Sequence, residues 1–170
     1  MSEGDGFGDF VATRSAALVR SAWLLTGNEA TAQDLVQTAL AKTWVRWSHV
    51  VDQDSPEAYV RKIMLSVFLT WNRRRWLGEL AIGVVPDRGD QHDEFARADL
   101  RGSLLVALRD LPRRQRAVVV LRYFDDLTEA QTAVVLGCSV GTVKSHNARA
   151  LSALRESPAL IGLFDEEEVP

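Results

Sequence analysis

The sequence predicts an all-α protein of two small helical domains joined by a flexible linker, the C-terminal one containing a helix-turn-helix. Three observations predict it. Apolar residues recur at three- and four-residue steps over most of the chain, while the two-residue alternation of a half-buried strand is nearly absent. The periodicity dissolves between residues 78 and 98, where "GVVPDRGDQHDEF" brings glycine, proline and acids together. Beyond it, "LTEAQTAVVLGCSVGTVKSHNARAL", residues 127 to 151, carries a helix start signal on each side of a glycine corner.

The elements follow in order. Val11, Leu18, Ala22 and Leu25 mark a first helix that ends at Gly27-Asn28. Thr31 reads as the cap of a second helix, with Asp34 at its third position. Ala32, Leu35, Val36, Ala39, Leu40, Thr43, Trp44 and Trp47 then form one apolar stripe. Ser55-Pro56 opens a third helix, a capping residue followed by proline at the first helical position. Its stripe is Val60, Ile63, Met64, Val67, Phe68 and Trp71, with Arg61, Lys62, Leu65, Ser66 and Arg73 on the other faces, and it ends in "NRRRW". All five tryptophans precede residue 77, which predicts one aromatic-rich core shared by these helices.

A second helical region starts near Asp99 and is re-initiated at Pro112. Thr128 with Gln131 forms a capping-box pattern. Ala130, Ala133, Val134 and Leu136 give that helix its inner face, Gly137 suits the position just past it, and Ser139 caps the next. Val140, Val143, Ala150, Leu151 and Leu154 anchor the last helix, which runs to about Ser157-Pro158. The domains implied are 7–77 and 99–157, with a linker at 78–98 and an acidic tail at 158–170. The tail's apolar residues, Leu160, Ile161, Leu163 and Phe164, either fray or dock back on the body or on a regulator.

Composition narrows the function classes. At 46% hydrophobic residues a packed core is within reach. No apolar run approaches a membrane span, so no membrane insertion is expected. The opening "MSEGDGFGDF" lacks a basic-then-apolar signal pattern, and a cytoplasmic location is the expectation. A single cysteine, Cys138, excludes an internal disulfide and a multi-cysteine zinc site. His49, His92 and His146 are far apart, and no metal or other cofactor is expected. Asp125-Asp126 is the only tight carboxylate pair within a folded region, and it reads as a polar approach to the Thr128 cap rather than an acid–base pair. With no phosphate loop or nucleophile motif, catalysis is not expected.

The net charge of −3 is unevenly spread. Between Glu57 and Leu77 five cations stand against one acid, +4, and between Leu111 and Glu156 seven stand against four, +3. Pro86 to Leu100 carries −3 and Asp165 to Glu168 carries −4. The basic stretches are either solvated helix faces or nucleic-acid footprints. In the last helix Thr142, Lys144, Ser145, His146, Asn147 and Arg149 project from the first turns, side chains of the kind that reach base edges and phosphates from a major groove.

Here the chain resembles a known family. "LPRRQRAVVVLRYFDDLTEAQTAVVLGCSVGTVKSHNARALSALRE" is similar to the promoter-binding C-terminal domain of bacterial RNA polymerase sigma factors of the extracytoplasmic-function type, in the sigma-70 superfamily. "GNEATAQDLVQTALAKTWVRW" resembles that family's polymerase-binding helix. "SPEAYVRKIMLSVFLTWNRRRW" resembles the helix that meets the upstream part of the melted promoter. The family implies a region 2-like domain at 7–77 and a region 4-like domain at 99–157.

The resemblance implies a factor that directs core RNA polymerase to specific promoters and helps to melt them, without a cofactor. Its implied partners are promoter DNA, the beta-prime clamp helices and beta flap of core polymerase, and a possible anti-sigma factor. Asp34, Gln37 and Thr38 fall on the polymerase-binding positions. Arg61, Lys62, Ser66, Asn72, Arg73 and Arg74 fall on the minus-ten DNA positions, where the preceding loop, about Ser48 to Ser55, takes a flipped base. Ser139, Thr142, Lys144, Ser145, His146, Asn147 and Arg149 fall on the minus-thirty-five positions. Of these, Lys144, Ser145 and Arg149 match base readers, and Thr142, His146 and Asn147 suit phosphates. Ser66 stands where the family has Asn, Thr70 where Asp is common, and Ala148 where a larger residue is usual. The rival reading is a stand-alone helix-turn-helix regulator. The Asp34/Gln37 face and the basic third helix argue against it, since a sensing domain has no use for either.

Overall fold

The computed structural model describes residues 6–71 and 92–164, with side chains described for 6–71 and 99–161. Every described element is helical. Helix α1, Phe7–Thr26, stops where Gly27 takes a φ of 70°, a left-handed conformation open to glycine at little cost. Helix α2, Glu29–Trp44, follows at once. Its cap is Asn28, not the Thr31 that spacing suggested: Asn28 Oδ1 accepts from Thr31 N at 2.9 Å. Gly27 reverses the chain early enough that Asn28 already has the extended backbone a cap needs, and Thr31 turns inward and is buried. Short α3, Trp47–Val50, precedes α4, Pro56–Thr70. Helix α4 opens as expected, with Ser55 Oγ accepting from Ala58 N at 3.2 Å.

Leu18, Ala22 and Leu25 of α1, Leu35, Val36 and Ala39 of α2, and Val60, Met64 and Phe68 of α4 are closed to solvent. This core is mainly aliphatic, which corrects the aromatic-rich one expected. Its closed positions are filled by leucine, valine, methionine and alanine, with Phe68 the one ring among them. Trp23 and Trp71 pack partly buried against it, and Phe7 meets Trp44 and Trp47 at 4.9 and 5.1 Å, with Trp47 buried and Trp44 half exposed. Asn72, the basic run at 73–75 and Trp76 lie outside the described residues.

Helix α5, His92–Asp110, begins seven residues before the expected start. Part of the expected linker is therefore helical. Helix α6, Arg113–Val119, runs without a break into a π-helical turn, Val120–Phe124. Helix α7, Glu129–Leu136, opens on the predicted capping box, in which Thr128 and Gln131 bond each other's backbone N–H. Gly137 takes a φ of 64°, and Ser139 caps α8, Val140–Arg155, as predicted. Helix α9, Pro158–Phe164, packs on α5, so the start of the tail docks rather than frays.

The two halves do not stand apart. Ala117, Val120, Leu121 and Val135 join the core of α1, α2 and α4. This contact explains two further differences. Arg61 and Leu65, placed on outer faces of α4 by its spacing, are both buried beneath the second half. On α7 the buried valine is Val135, against the core of the first half, while Val134 is 72% exposed. Val140 is exposed as well, because the opening turn of α8 projects away from the body. Arg116 joins the halves: its guanidinium donates to the carbonyls of Leu25 at 2.6 Å, Arg109 at 2.8 Å and Leu111 at 3.0 Å. A cation there serves the unpaired carbonyls at the ends of α1 and α5. Burial, then the neighbouring Arg113 and Arg109, lower its pKa to about 10, so it stays charged at neutral pH. Arg113 donates to the carbonyl of Trp71 at 2.7 Å, just past the end of α4.

Candidate nucleic-acid interface

Three surfaces carry the predicted residues. The first is on α2. Burying Leu35, Val36, Ala39 and Leu40 turns Asp34 and Gln37 outward to solvent, one turn apart. Thr38 is half-buried beside them and donates to the Asp34 carbonyl at 2.8 Å. This face is acid-and-amide, as its spacing predicted.

The second is a cleft of about 840 Å3 between the loop 52–55 and α4. Lys42, Lys62 and Ser66 line it with Tyr59 and the loop carboxylates Asp52 and Asp54. Lys62 and Ser66 are exposed there, where the sequence put them. Val134 and Val135 of α7 form its far wall, which no local pattern foretold. Asn72, Arg73 and Arg74 lie outside the described residues.

Arg61 is not in that cleft. It is 8% exposed and turned to the junction of the halves. There its Nη2 lies 2.9 Å from Glu57 Oε1 and its Nε 3.6 Å from Asp125 Oδ2. Asp125 Oδ1 accepts from Ser21 Oγ at 2.6 Å. Asp125 is therefore an interior partner of the first half and not a polar approach to the Thr128 cap. Burial pushes its carboxyl above the usual range; the Ser21 hydrogen bond and then Arg61 pull the other way. Asp126, next to it, has a φ of 53°, a left-handed conformation unusual for a residue other than glycine. Ser21, Arg116 and Asp125 were missed because each acts across the junction, and no local period marks such a pairing.

The third surface is α8. Val143 and Ala150 bury one side. Lys144, Ser145, Ala148 and Arg149 lie exposed along the other, on the three- and four-residue steps of one helix face. Ser139 Oγ accepts from Thr142 N at 3.1 Å, so both stand at the N-terminal end. Thr142, His146 and Asn147 are half-buried on the flanks. The helix thus presents a polar, cationic face supported from behind by α6 and α7, a shape suited to a major groove.

Known proteins share both halves in this order. Residues 10–77 match the family described as Sigma-70 region 2, and residues 101–154 match Sigma-70, region 4. The RNA polymerase sigma-E factor of Streptomyces avermitilis is 41% identical over 150 residues, covering 88% of this chain and 83% of that protein. The chain belongs to the sigma-70 superfamily of RNA polymerase sigma factors. Its relatives place this sigma factor in the extracytoplasmic-function branch. The ECF RNA polymerase sigma factor SigL of Mycobacterium tuberculosis is 31% identical over 83% of this chain and 82% of its own length. Among solved structures, the sigma factor RpoE in its complex with the anti-sigma factor NepR from Bartonella quintana superposes with a TM-score of 0.69. That match has 25% identity and covers 88% of this chain and 94% of the other. CnrH, in complex with the cytosolic domain of CnrY, shares the fold at a TM-score of 0.58 and 24% identity over 95% of this sigma factor and 89% of that chain. The sigma factor directs core RNA polymerase to specific promoters, and core polymerase and promoter DNA are its partners. It is a regulatory initiation factor, and no described helix is long and apolar enough to cross a membrane.

Proposed function

We propose a division of labour between the three surfaces. Asp34, Gln37 and Thr38 dock on the beta-prime clamp helices of core polymerase. Lys62 and Ser66, with Asn72, Arg73 and Arg74, hold the minus-ten element, and the cleft above the loop 52–55 takes a base flipped from the opened strand. Capture in a pocket offsets the cost of unstacking and so favours melting. Lys144, Ser145 and Arg149 read the minus-thirty-five element in the major groove, with Ser139, Thr142 and His146 on its phosphates and Asn147 at the flank beside them. The second half also meets the beta flap. An anti-sigma factor is a further partner, as it is for RpoE in its solved complex with NepR. The factor works in the cytoplasm, does no catalysis of its own and needs no cofactor. The domain limits are 7–77 and 99–157, with 78–98 between them.

The observation that carries this reading is the exposed Lys144–Ser145–Arg149 face on a helix whose other side is closed. The net charge of −3 fits it too. A regulator working alone needs a strongly basic footprint, whereas a sigma factor borrows affinity from polymerase. The test is promoter binding by the free chain and by the chain with core polymerase at one near-physiological salt. The free chain should bind weakly with little sequence preference, and the complex tightly and selectively. Tight, selective binding without polymerase would instead favour a stand-alone regulator.

A further inference from the structure

The π-helical turn at the end of α6 has a consequence for the α8 surface. Closing it requires Asp125 N–H to reach back to the Val120 carbonyl, at 3.0 Å, five residues instead of four. The extra residue changes which way the following side chains point. Asp125 turns into the junction with Ser21 and Arg61, while Tyr123 turns the other way and lies against α8, 47% exposed. Left-handed Asp126 follows, so the ring stands in a π-helical turn closed by a second uncommon backbone feature. Arg122 anchors the turn by donating to the Leu127 carbonyl at 2.6 Å, with its guanidinium 5.9 Å from the Tyr123 ring centre.

The hydroxyl is the informative atom. Asn147 Nδ2 donates to the Tyr123 hydroxyl oxygen at 3.0 Å, and this pair lies at the exposed rim of the α8 face. Since the oxygen acts as acceptor, the hydroxyl keeps its own proton to donate, and no described residue takes it. The Lys144–Ser145–Arg149 face lies on the same helix, so a duplex seated there would run its phosphates past the flank that holds Asn147.

We propose that Tyr123 is a further DNA-contacting residue of this sigma factor. Its hydroxyl donates to a backbone phosphate oxygen beside the minus-thirty-five element, and Asn147 is the positioning residue that turns the proton outward. This rests on the reading of α8 as the helix that meets that element. The tyrosine is neutral and touches no base, so the contact should add affinity without adding sequence preference or counterion release.

The experiment uses the full chain bound to core polymerase. The probe is a duplex carrying a promoter identified by transcript-start mapping after induced expression, together with single-base variants of its minus-thirty-five element. Tyr123→Phe should lower affinity roughly tenfold on every duplex, as expected for loss of a hydrogen bond to a charged group. Its salt dependence and melting temperature should match the parent. Asn147→Ala should lower affinity in the same direction, and the double variant should lose little beyond Tyr123→Phe, because the two act as one unit. Lys144→Ala and Arg149→Ala serve as references: each should weaken binding and relax specificity at the base position it reads. Parental affinity in Tyr123→Phe while the reference variants respond would overturn the assignment and leave the α8 reading intact. So would a loss confined to one base variant. Parental binding by all of them would remove α8 from the DNA interface, and the assignment with it.

Discussion

Arg61 and Asp125 meet across the junction of the two halves, Nε to Oδ2 at 3.6 Å, with Ser21 Oγ on the other carboxylate oxygen at 2.6 Å. One partner lies on the helix assigned to the minus-ten element and the other in the turn that leads to the helix-turn-helix. The packed arrangement therefore engages a side chain that the family resemblance assigns to DNA. It also sets Val134 and Val135 against the cleft proposed for the flipped base.

Asp125→Asn tests what holds the junction. Burial is the largest influence on this carboxyl and raises its pKa, so the packed state favours the protonated form. With the sign worked through, the stabilising contribution of protonation is full below the ordinary value of 3.8 and is lost as pH rises through the raised value. Asparagine can keep both contacts, its carbonyl toward Arg61 and its amide toward Ser21, without a buried charge. At neutral pH the variant should melt no lower than the parent. Any advantage should shrink as pH falls through the raised pKa toward 3.8. Melting curves at several pH values check this, and a variant that is less stable at pH 7 would show the Arg61 ion pair outweighing desolvation.

Opening of the junction should accompany polymerase binding. Two promoter elements lie more than one helical turn apart, and one turn alone spans roughly 34–36 Å. The halves share a single core, which fixes the separation of their two DNA surfaces for as long as it stays packed. Dyes on cysteines at the exposed positions Ala30 and Ser152, with Cys138→Ser, should show efficient energy transfer in the free chain and a clear loss when core polymerase and promoter are added. Unchanged transfer would mean that the packed form is itself the working one.

Asp34→Arg should weaken association with core polymerase on the order of tenfold or more, because it reverses charge on an exposed face that packs nothing beneath it. The melting profile should be native. Parental affinity in a pull-down titration would remove this face from the interface.

Arg116→Met should destabilise the chain by about 3 kcal/mol or more. The replacement leaves the carbonyls of Leu25, Arg109 and Leu111 without this donor in a buried setting, at about 1–3 kcal/mol for each one left unsatisfied. Urea unfolding midpoints measure it. A loss under 1 kcal/mol would mean that water or backbone shifts replace the guanidinium.

Much of this protein was determined by the sequence alone. The helices and most of their ends were legible because caps and periodicity act within one or two turns: Ser55-Pro56, the Thr128–Gln131 box, Gly137 and Ser139 all stand where local chemistry put them. The outward faces of α2 and α8 were legible for the same reason, since a buried stripe fixes what is left outside. Thr31 shows the limit of that reasoning, because the cap passed to Asn28 once Gly27 had turned the chain. What only the tertiary structure decided is how the halves meet. Arg61, Leu65, Arg116, Asp125 and Val135 are polar or apolar at positions whose burial depends on a partner far along the chain. A helical period reports which residues share a face, but it carries no information on whether a second domain covers that face, and burial of a charge depends on that cover.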